Sequence, residues 1–255
     1  MGLIFLRNRV SGGAPPAFDP ASLFASGEDG VWYDPSDLTT MWTDTAGTTQ
    51  TTAVLEGVTP TSANQVARID DKSGNGNHAL QGTSPAQPIL RVTSGGLYYL
   101  EFDGTDDFMS VAYTTTFNNI TRSAAYRAAA SNIFLDEDNV ANRGSFWTTT
   151  TNGNLRFYNN ASGIIASGGW SHNVDEVVVG TINSSGAATI DGSGNSQTGT
   201  VSVPSIGGIR LGSGGSGANW LDGRIYAVVD LDRVVTAQEN TNLQTYLANR
   251  SGVTL

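Results

Sequence analysis

The sequence predicts an all-β fold: a two-sheet antiparallel jelly-roll sandwich with an N-terminal arm and one C-terminal amphipathic helix. Three observations predict it. Short runs rich in β-branched and aromatic residues recur along the chain at roughly 8–12-residue spacing. The segments between them are built of Gly, Ser, Asn and Thr; with 31 glycines in 255 residues, the composition suits turns better than long helices. Only at the end of the chain does the apolar period change from that of a strand to that of a helix.

Residues 1–25 read as an attachment arm. Leu3, Ile4, Phe5 and Leu6 form an apolar tip, and residues 11–16 form a flexible Gly/Pro spacer. Two roles are open for the tip: docking on a partner chain, or pairing with the domain's own sheet.

Residues 26–235 read as the jelly roll. Residues 31–33 form a first strand, ended by Asp34-Pro35. Residues 36–42 read as a short helical turn, and residues 43–65 as an exposed Thr-rich loop. A strand over 66–70 enters the polar loop 71–77, where Asn75-Gly76 marks a turn because both residues tolerate positive φ. Along 97–102, Tyr98, Leu100 and Phe102 fall on one face, and Leu97, Tyr99 and Glu101 on the other. Asp103-Gly104 begins a turn and residues 108–111 return, so this stretch reads as a hairpin. Further strands are expected at 123–130, 131–135, 144–149, 155–159, 163–167, 177–182, 188–190, 206–211 and 224–230, with turns such as Asn152-Gly153 between them.

Residues 236–255 carry the helix. Thr236-Ala237-Gln238-Glu239 is a capping box. Leu243, Tyr246 and Leu247 form one apolar stripe at i, i+3 and i+4. Arg250 in the last turn and Gly252 just beyond it are C-terminal signals, so the helix is expected over 237–249, packed on the sandwich.

The totals exclude several classes. A formal net charge of −10 argues against nucleic acid, which needs a basic surface. The absence of cysteine removes disulfides, thiolate metal sites and cysteine nucleophiles. No apolar run approaches the roughly 20 residues that span a membrane. The start has no secretory pattern, because its charges follow a short apolar run. Synthesis in the cytoplasm without export by the general route is the expectation.

Three stretches taken together resemble a known superfamily. They are residues 71–78 (DKSGNGNH), residues 100–108 (LEFDGTDDF), and the closing run from Trp220-Leu221-Asp222-Gly223-Arg224-Ile225-Tyr226 to Tyr246-Leu247. In this order they resemble the concanavalin A-like lectin/glucanase superfamily in its laminin-G-like branch, over about residues 30–255. The front end, residues 17–24 (AFDPASLF) and 30–37 (GVWYDPSD), is similar to structural proteins of tailed bacteriophages, prophages and gene transfer agents. That resemblance implies a head spike, a decoration or a tail-fibre protein.

Catalytic chemistry is not expected. Glucanases of the superfamily carry paired carboxylates spaced Glu-x-Asp-x-x-Glu, and this chain has no such run. Asp136-Glu137-Asp138 and Asp175-Glu176 read as a solvated loop and a turn. His78 and His172 are the only histidines, and no G-x-S-x-G signature accompanies them. For metals, Asp71, Ser73, Asn75 and Gly76 match the start of a calcium loop, with Gly82 where the bidentate Glu would stand. The superfamily often holds a structural calcium. Asp71, Asn75 and Asp230 are the candidate ligands, and an Asx-turn network without metal is the competing reading. For sugars, aromatic faces in polar loops nominate Trp147, Tyr158, Asn159, Trp170 and Trp220.

The expected function is therefore a non-enzymatic structural component of a phage-like particle. It would be displayed on the virion surface, held by other particle proteins through the arm, assembled as a homo-oligomer, and able to bind host capsular or surface polysaccharide. The alternative is a free-standing bacterial lectin or glycan-processing enzyme.

Overall fold

The computed structural model describes residues 18–130, 133–136, 145–148, 153–159, 162–203, 205–215 and 219–255. The proposed tip Leu3, Ile4, Phe5 and Leu6 lies outside the described residues, as do positions 131, 132, 144 and 149 of two expected strands, Asn152, and Glu137 and Asp138 of the acidic run.

The strands are β1 (Gly30–Tyr33), β2 (Met41–Trp42), β3 (Val54–Leu55), β4 (Arg68–Ile69), β5 (Ala79–Leu80), β6 (Ile89–Val92), β7 (Tyr98–Asp103), β8 (Met109–Phe117) and β9 (Ile120–Ala128). They continue as β10 (Ile133–Asp136), β11 (Ser145–Thr148), β12 (Gly153–Asn159), β13 (Ser162–Trp170), β14 (Glu176–Ile182), β15 (Ala187–Gly192), β16 (Asn195–Thr200), β17 (Ile206–Leu211) and β18 (Asp222–Leu231). One helix, α1 (Ala237–Ser251), closes the chain.

Among the described residues these strands form two nine-stranded sheets. The first runs β16-β15-β14-β9-β18-β7-β6-β3, with β1 also on β18; the second runs β13-β12-β11-β10-β17-β8-β5-β4-β2. All pairs are antiparallel except β3 with β6. The expected jelly-roll sandwich with a C-terminal helix is the observed fold.

Two apolar layers result. Between the sheets, Tyr126, Phe134, Phe146 and Phe157 stack in series, with centroids 3.8, 5.6 and 4.6 Å apart. Gly180 on the facing sheet makes room for them: a Cβ there would stand 2.6 Å from the Phe146 ring. The second layer lies on the outer face of the first sheet. There α1 packs across β14, β9 and β18, burying Leu243, Tyr246 and Leu247 against Tyr99, Val177, Val179 and Val229. Each fully buried aliphatic side chain contributes about 1.5–3 kcal/mol. A polar chain locks the helix to the front of the domain. Trp32 Nε1–H donates to the Tyr246 hydroxyl at 2.8 Å, which donates to Asp34 Oδ2 at 3.0 Å, and Arg250 pairs with the same oxygen at 3.0 Å.

The helix begins on the expected capping box, with Glu239 N–H donating to Thr236 Oγ1 and Thr236 N–H to Glu239. It runs two residues beyond the expected end, closing at Gly252 with φ 76°. The last residues of the stretch read as the arm, 18–25, are described. Pro20–Phe24 is a 3₁₀ turn capped by Asp19, and it buries Leu23 and Phe24 in the outer layer. Residues 36–42 hold a three-residue 3₁₀ turn, Leu38–Thr40, followed by β2 rather than one helical turn. The 43–65 region is not all loop, because Val54–Leu55 pairs with β6. Strand β16, with the sequence NSQTGT, carries no apolar signal and was missed; its pairing with β15 holds it.

The stretch read as a hairpin at 98–111 is not one. β7 already has β6 on one edge and β18 on the other, so the chain must leave the sheet, and β8 joins the opposite one. Carboxylates make the turn. Asp103 Oδ1 accepts the N–H groups of Thr105 and Asp106, and Asp107 Oδ2 accepts that of Asp103. Burial, reinforced by the neighbouring Asp103 carboxylate, pushes the Asp107 carboxyl up to about 7. A carboxyl raised in the folded state contributes stability that is full below the ordinary carboxylate range and is lost as pH rises through about 7. Asp107→Asn keeps an acceptor for the Asp103 N–H. It should raise the melting temperature at pH 8 and leave it nearly unchanged at pH 4; equal shifts at both pH values would refute this.

Candidate functional site

The second sheet turns one face to the core and the other outward. Met41, Ile69, Ala79, Met109, Leu211 and Phe146 point in, so their neighbours in sequence point out. The register then sets a single outward row across the sheet. Trp42 stands opposite Arg68, Arg68 opposite Leu80, Leu80 opposite Ser110, Ser110 opposite Arg210, and Arg210 opposite Asp136. The Ser145 hydroxyl donates to Asp136 and carries the row to β11, where Ser145 faces Tyr158.

The open end of this row is an aromatic and charged constellation. Asp70 Oδ2 accepts the Trp42 indole N–H at 2.7 Å, and its Oδ1 accepts from Arg68 Nε at 2.6 Å. His78 Nδ1 accepts the Asp71 N–H at 3.1 Å and lies 3.1 Å from Asp70 Oδ1. Trp42, Arg68, Asp70 and His78 are all half-buried, and Leu80 beside them is 40% exposed. The indole is thus held in one orientation by a carboxylate that also fixes a guanidinium. Such an arrangement offers a flat apolar face flanked by hydrogen-bonding groups, which suits the C–H face and hydroxyls of a sugar ring.

Further along, Arg210 stacks on Phe108 with its guanidinium 3.6 Å from the ring centroid and 5.9 Å from that of Trp220. Phe108 and Trp220 are half-buried, 6.1 Å apart and inclined at 41°. Ser213 Oγ accepts from Arg210 Nε at 2.7 Å, and the Gly215 N–H donates to Asp136 at 2.9 Å. The residues after β17 therefore fold over the middle of the row, and Arg210, Asp136 and Ser145 are buried beneath them.

The sugar-binding residues nominated from sequence divide. Trp147, Tyr158 and Asn159 lie on the adjacent strands β11 and β12 of this same sheet; their side chains lie outside the described atoms. Trp220 joins Phe108 and Arg210. Trp170 is corrected: it is 2% exposed within the core, so its ring faces no ligand. Trp42, Arg68 and Asp70 were missed as site residues. Two of them stood in an expected strand, and the alternation of Arg68 and Asp70 with buried Ala67 and Ile69 was the available signal.

The nominated calcium ligands are engaged by the protein. Asp71 Oδ1 accepts the N–H groups of Trp32 and Ser73 at 3.0 and 2.9 Å. Its Oδ2 accepts the Ser73 hydroxyl and the Asn77 N–H at 2.7 and 3.1 Å. Asn75 donates to the carbonyls of Glu28 and Gly30. Asp230 is fully buried with Oδ2 on Arg122 and Tyr113. A cation would have to displace the donors on Asp71; Asp230 Oδ1 has no hydrogen-bond partner among the described residues, but it is fully buried beside the Arg122 guanidinium that pairs with Oδ2. The melting temperature should therefore be the same in EDTA and in excess calcium. A loss in EDTA that calcium restores would overturn the Asx-turn account. Asp103, Asp106 and Asp107 form a separate acidic group, with ligand oxygens within 4.8 Å of one another, but Asp103 and Asp107 already serve as turn acceptors.

No protein-family sequence profile matches the chain, and no curated protein sequence matches it. Solved structures do match. A GH54 α-L-arabinofuranosidase soaked with 4-nitrophenyl α-L-arabinofuranoside superposes with TM-score 0.61 at 15% identity, covering 91% of this chain and 66% of that one. An arabinofuranosidase complexed with arabinofuranosyl-α-1,2-xylobiose gives 0.61 at 16%, covering 91% and 65%. The binding domain of botulinum neurotoxin serotype G gives 0.52 at 13%, covering 71% and 49%. The chain spans just under two thirds of the length of the arabinofuranosidases. At these identities the likeness establishes the fold alone: a two-sheet antiparallel jelly-roll sandwich.

Proposed function

We propose that this chain is a non-enzymatic carbohydrate-recognition domain and a structural component of a phage-like particle: a head spike, decoration or tail-fibre protein. The observation that carries the binding reading is the open end of the outward row, from Trp42 through Arg68 to Leu80, with its indole anchored by Asp70. The fold supports it, being shared with sugar-processing and binding proteins. The particle setting rests on the resemblance of residues 17–37 to phage structural proteins, and on the apolar Leu3, Ile4, Phe5 and Leu6 ahead of a Gly/Pro spacer. In this reading the chain is made in the host cytoplasm, held by other particle proteins, oligomeric, and displayed toward host surface polysaccharide.

The acids of this face support the non-enzymatic part. Retaining or inverting hydrolysis needs two carboxyl groups free to act on one bond. On this face Asp70 is engaged by Trp42 and Arg68, and Asp136 by Ser145 and Gly215.

A glycan array of bacterial capsular and surface polysaccharides, probed with the full chain and with Trp42→Ala, tests the reading. The wild type should bind a subset of glycans, and Trp42→Ala should bind them about tenfold more weakly, a loss of about 1.4 kcal/mol. No released sugar should appear by mass spectrometry. Release of sugar would establish the enzyme alternative instead, and an array without binders would remove carbohydrate recognition.

A further inference from the structure

A second recess lies on the opposite side of the sandwich, at the end of the first sheet that α1 leaves open. Its floor is two outward rows of that sheet. Glu101, Arg224 and Arg127 stand in register on β7, β18 and β9, and Asp103 faces Asp222 in the next row. Together with Asn173 they line a cavity of about 360 Å³, near the lower end of the range for small-molecule sites.

Three features set this recess apart from an ordinary surface crevice. First, two of its charges are neutralised: Glu101 pairs with Arg91 at 2.7 Å, and Arg224 pairs with Glu56. Arg127 and Asp222 are not; among the described residues neither side chain makes a hydrogen bond or an ion pair. Opposite charges share one small cavity without meeting. Second, Asp103 and Asp222 oppose each other directly across the strands. Like charges so placed destabilise a sheet. Third, the backbone is shaped here. β18 carries a bulge between Ile225 and Ala227 that brings the Tyr226 hydroxyl 3.4 Å from Arg224 and 2.9 Å from Asp175. Bulges of this kind re-aim side chains beside sites. Asn173 takes a left-handed φ of 62°, held by its N–H to the Ala128 carbonyl at 2.8 Å and its amide to that of Ala129 at 3.3 Å.

We propose that this recess is a second binding site, independent of the Trp42 face, for an uncharged polyol of about one sugar residue. The chemistry selects that class. A hydroxyl group can accept from the Arg127 guanidinium and donate to the Asp222 or Asp103 carboxylate at once, so neighbouring hydroxyls bridge the unpaired charges. A ligand carboxylate would meet Asp103, Asp107 and Asp222 around one free guanidinium. A ligand ammonium would meet Arg127.

The test is amide chemical-shift mapping of the ¹⁵N-labelled full chain with a panel of single sugars: glucose, galactose, mannose, arabinose, rhamnose, glucuronate and glucosamine. At least one neutral sugar should shift the amides of Gly104, Asn173 and Gly223 saturably. Glucuronate and glucosamine should bind at least tenfold more weakly. Arg127→Gln and Asp222→Asn, checked for a melting temperature no lower than that of the wild type, should each abolish the shifts, whereas Trp42→Ala should not. The proposal is overturned if no neutral sugar shifts these amides, if the shifts survive both substitutions, or if a charged sugar binds best. Loss of array binding at the Trp42 face would leave it standing.

Discussion

Asp230→Ala is expected to destabilise the fold by about 3–5 kcal/mol, because it leaves a guanidinium buried without its counter-charge. Arg122 and Asp230 are both fully buried, 2.7 Å apart, between the sheets. Arg122 also donates to the carbonyls of Asp136 and Gly208 on the facing sheet, and the Tyr113 hydroxyl donates to Asp230 at 2.7 Å. The pair therefore ties β9, β18, β8, β10 and β17 through one point. Removing the carboxylate strands the whole guanidinium network. Replacing both partners by apolar residues of similar volume should cost much less, since a buried pair must first repay its own desolvation. Urea unfolding followed by tryptophan fluorescence measures both variants. A single substitution costing under about 1 kcal/mol would show that water reaches the pair.

Phe146→Ala is expected to cost about 3–5 kcal/mol, the range for removing a large aromatic from a packed core. Its ring sits third in the series of four that joins the two sheets, between Phe134 and Phe157. The ring packs directly over Gly180, which has no side chain to fill the space that alanine would leave. Phe146→Leu should recover part of the loss. The same denaturation experiment decides it, and equal stability of the alanine variant would mean that the stack is not what holds the sheets together.

Much of the fold was legible because its elements carry strong local patterns. The capping box, the apolar stripe and Gly252 announced α1, and Ile206–Leu211 was readable to the residue. The failures have physical causes. The chain at Asp103–Phe108 reads locally as a hairpin turn, but pairing is decided by which strand edges are already occupied, and that is a tertiary fact. β16 is stabilised by its neighbour and not by its own side chains. The candidate face was the least visible part. Trp42, Arg68 and Asp70 are brought together by strands of two residues, which are too short to show a period. Trp170 looked like a loop aromatic because glycines precede it, yet strand β13 turns it inward. The stretches quoted for their family resemblance proved informative in another way. Within them, residues 100–103 and 222–225 pair with each other in register, Asp103 opposite Asp222 and Arg224 opposite Glu101.

The central claim is that the Trp42 face of the second sheet recognises a glycan. Hydrogen–deuterium exchange of the full chain, with and without the strongest glycan from the array, tests it most directly. Exchange should slow in peptides covering β2, β4, β5 and the start of β8, around Trp42, Arg68, Leu80 and Ser110, and Trp42→Ala should remove that protection. Protection confined to α1 or to β14–β16, with the Trp42 region unchanged, would contradict the account.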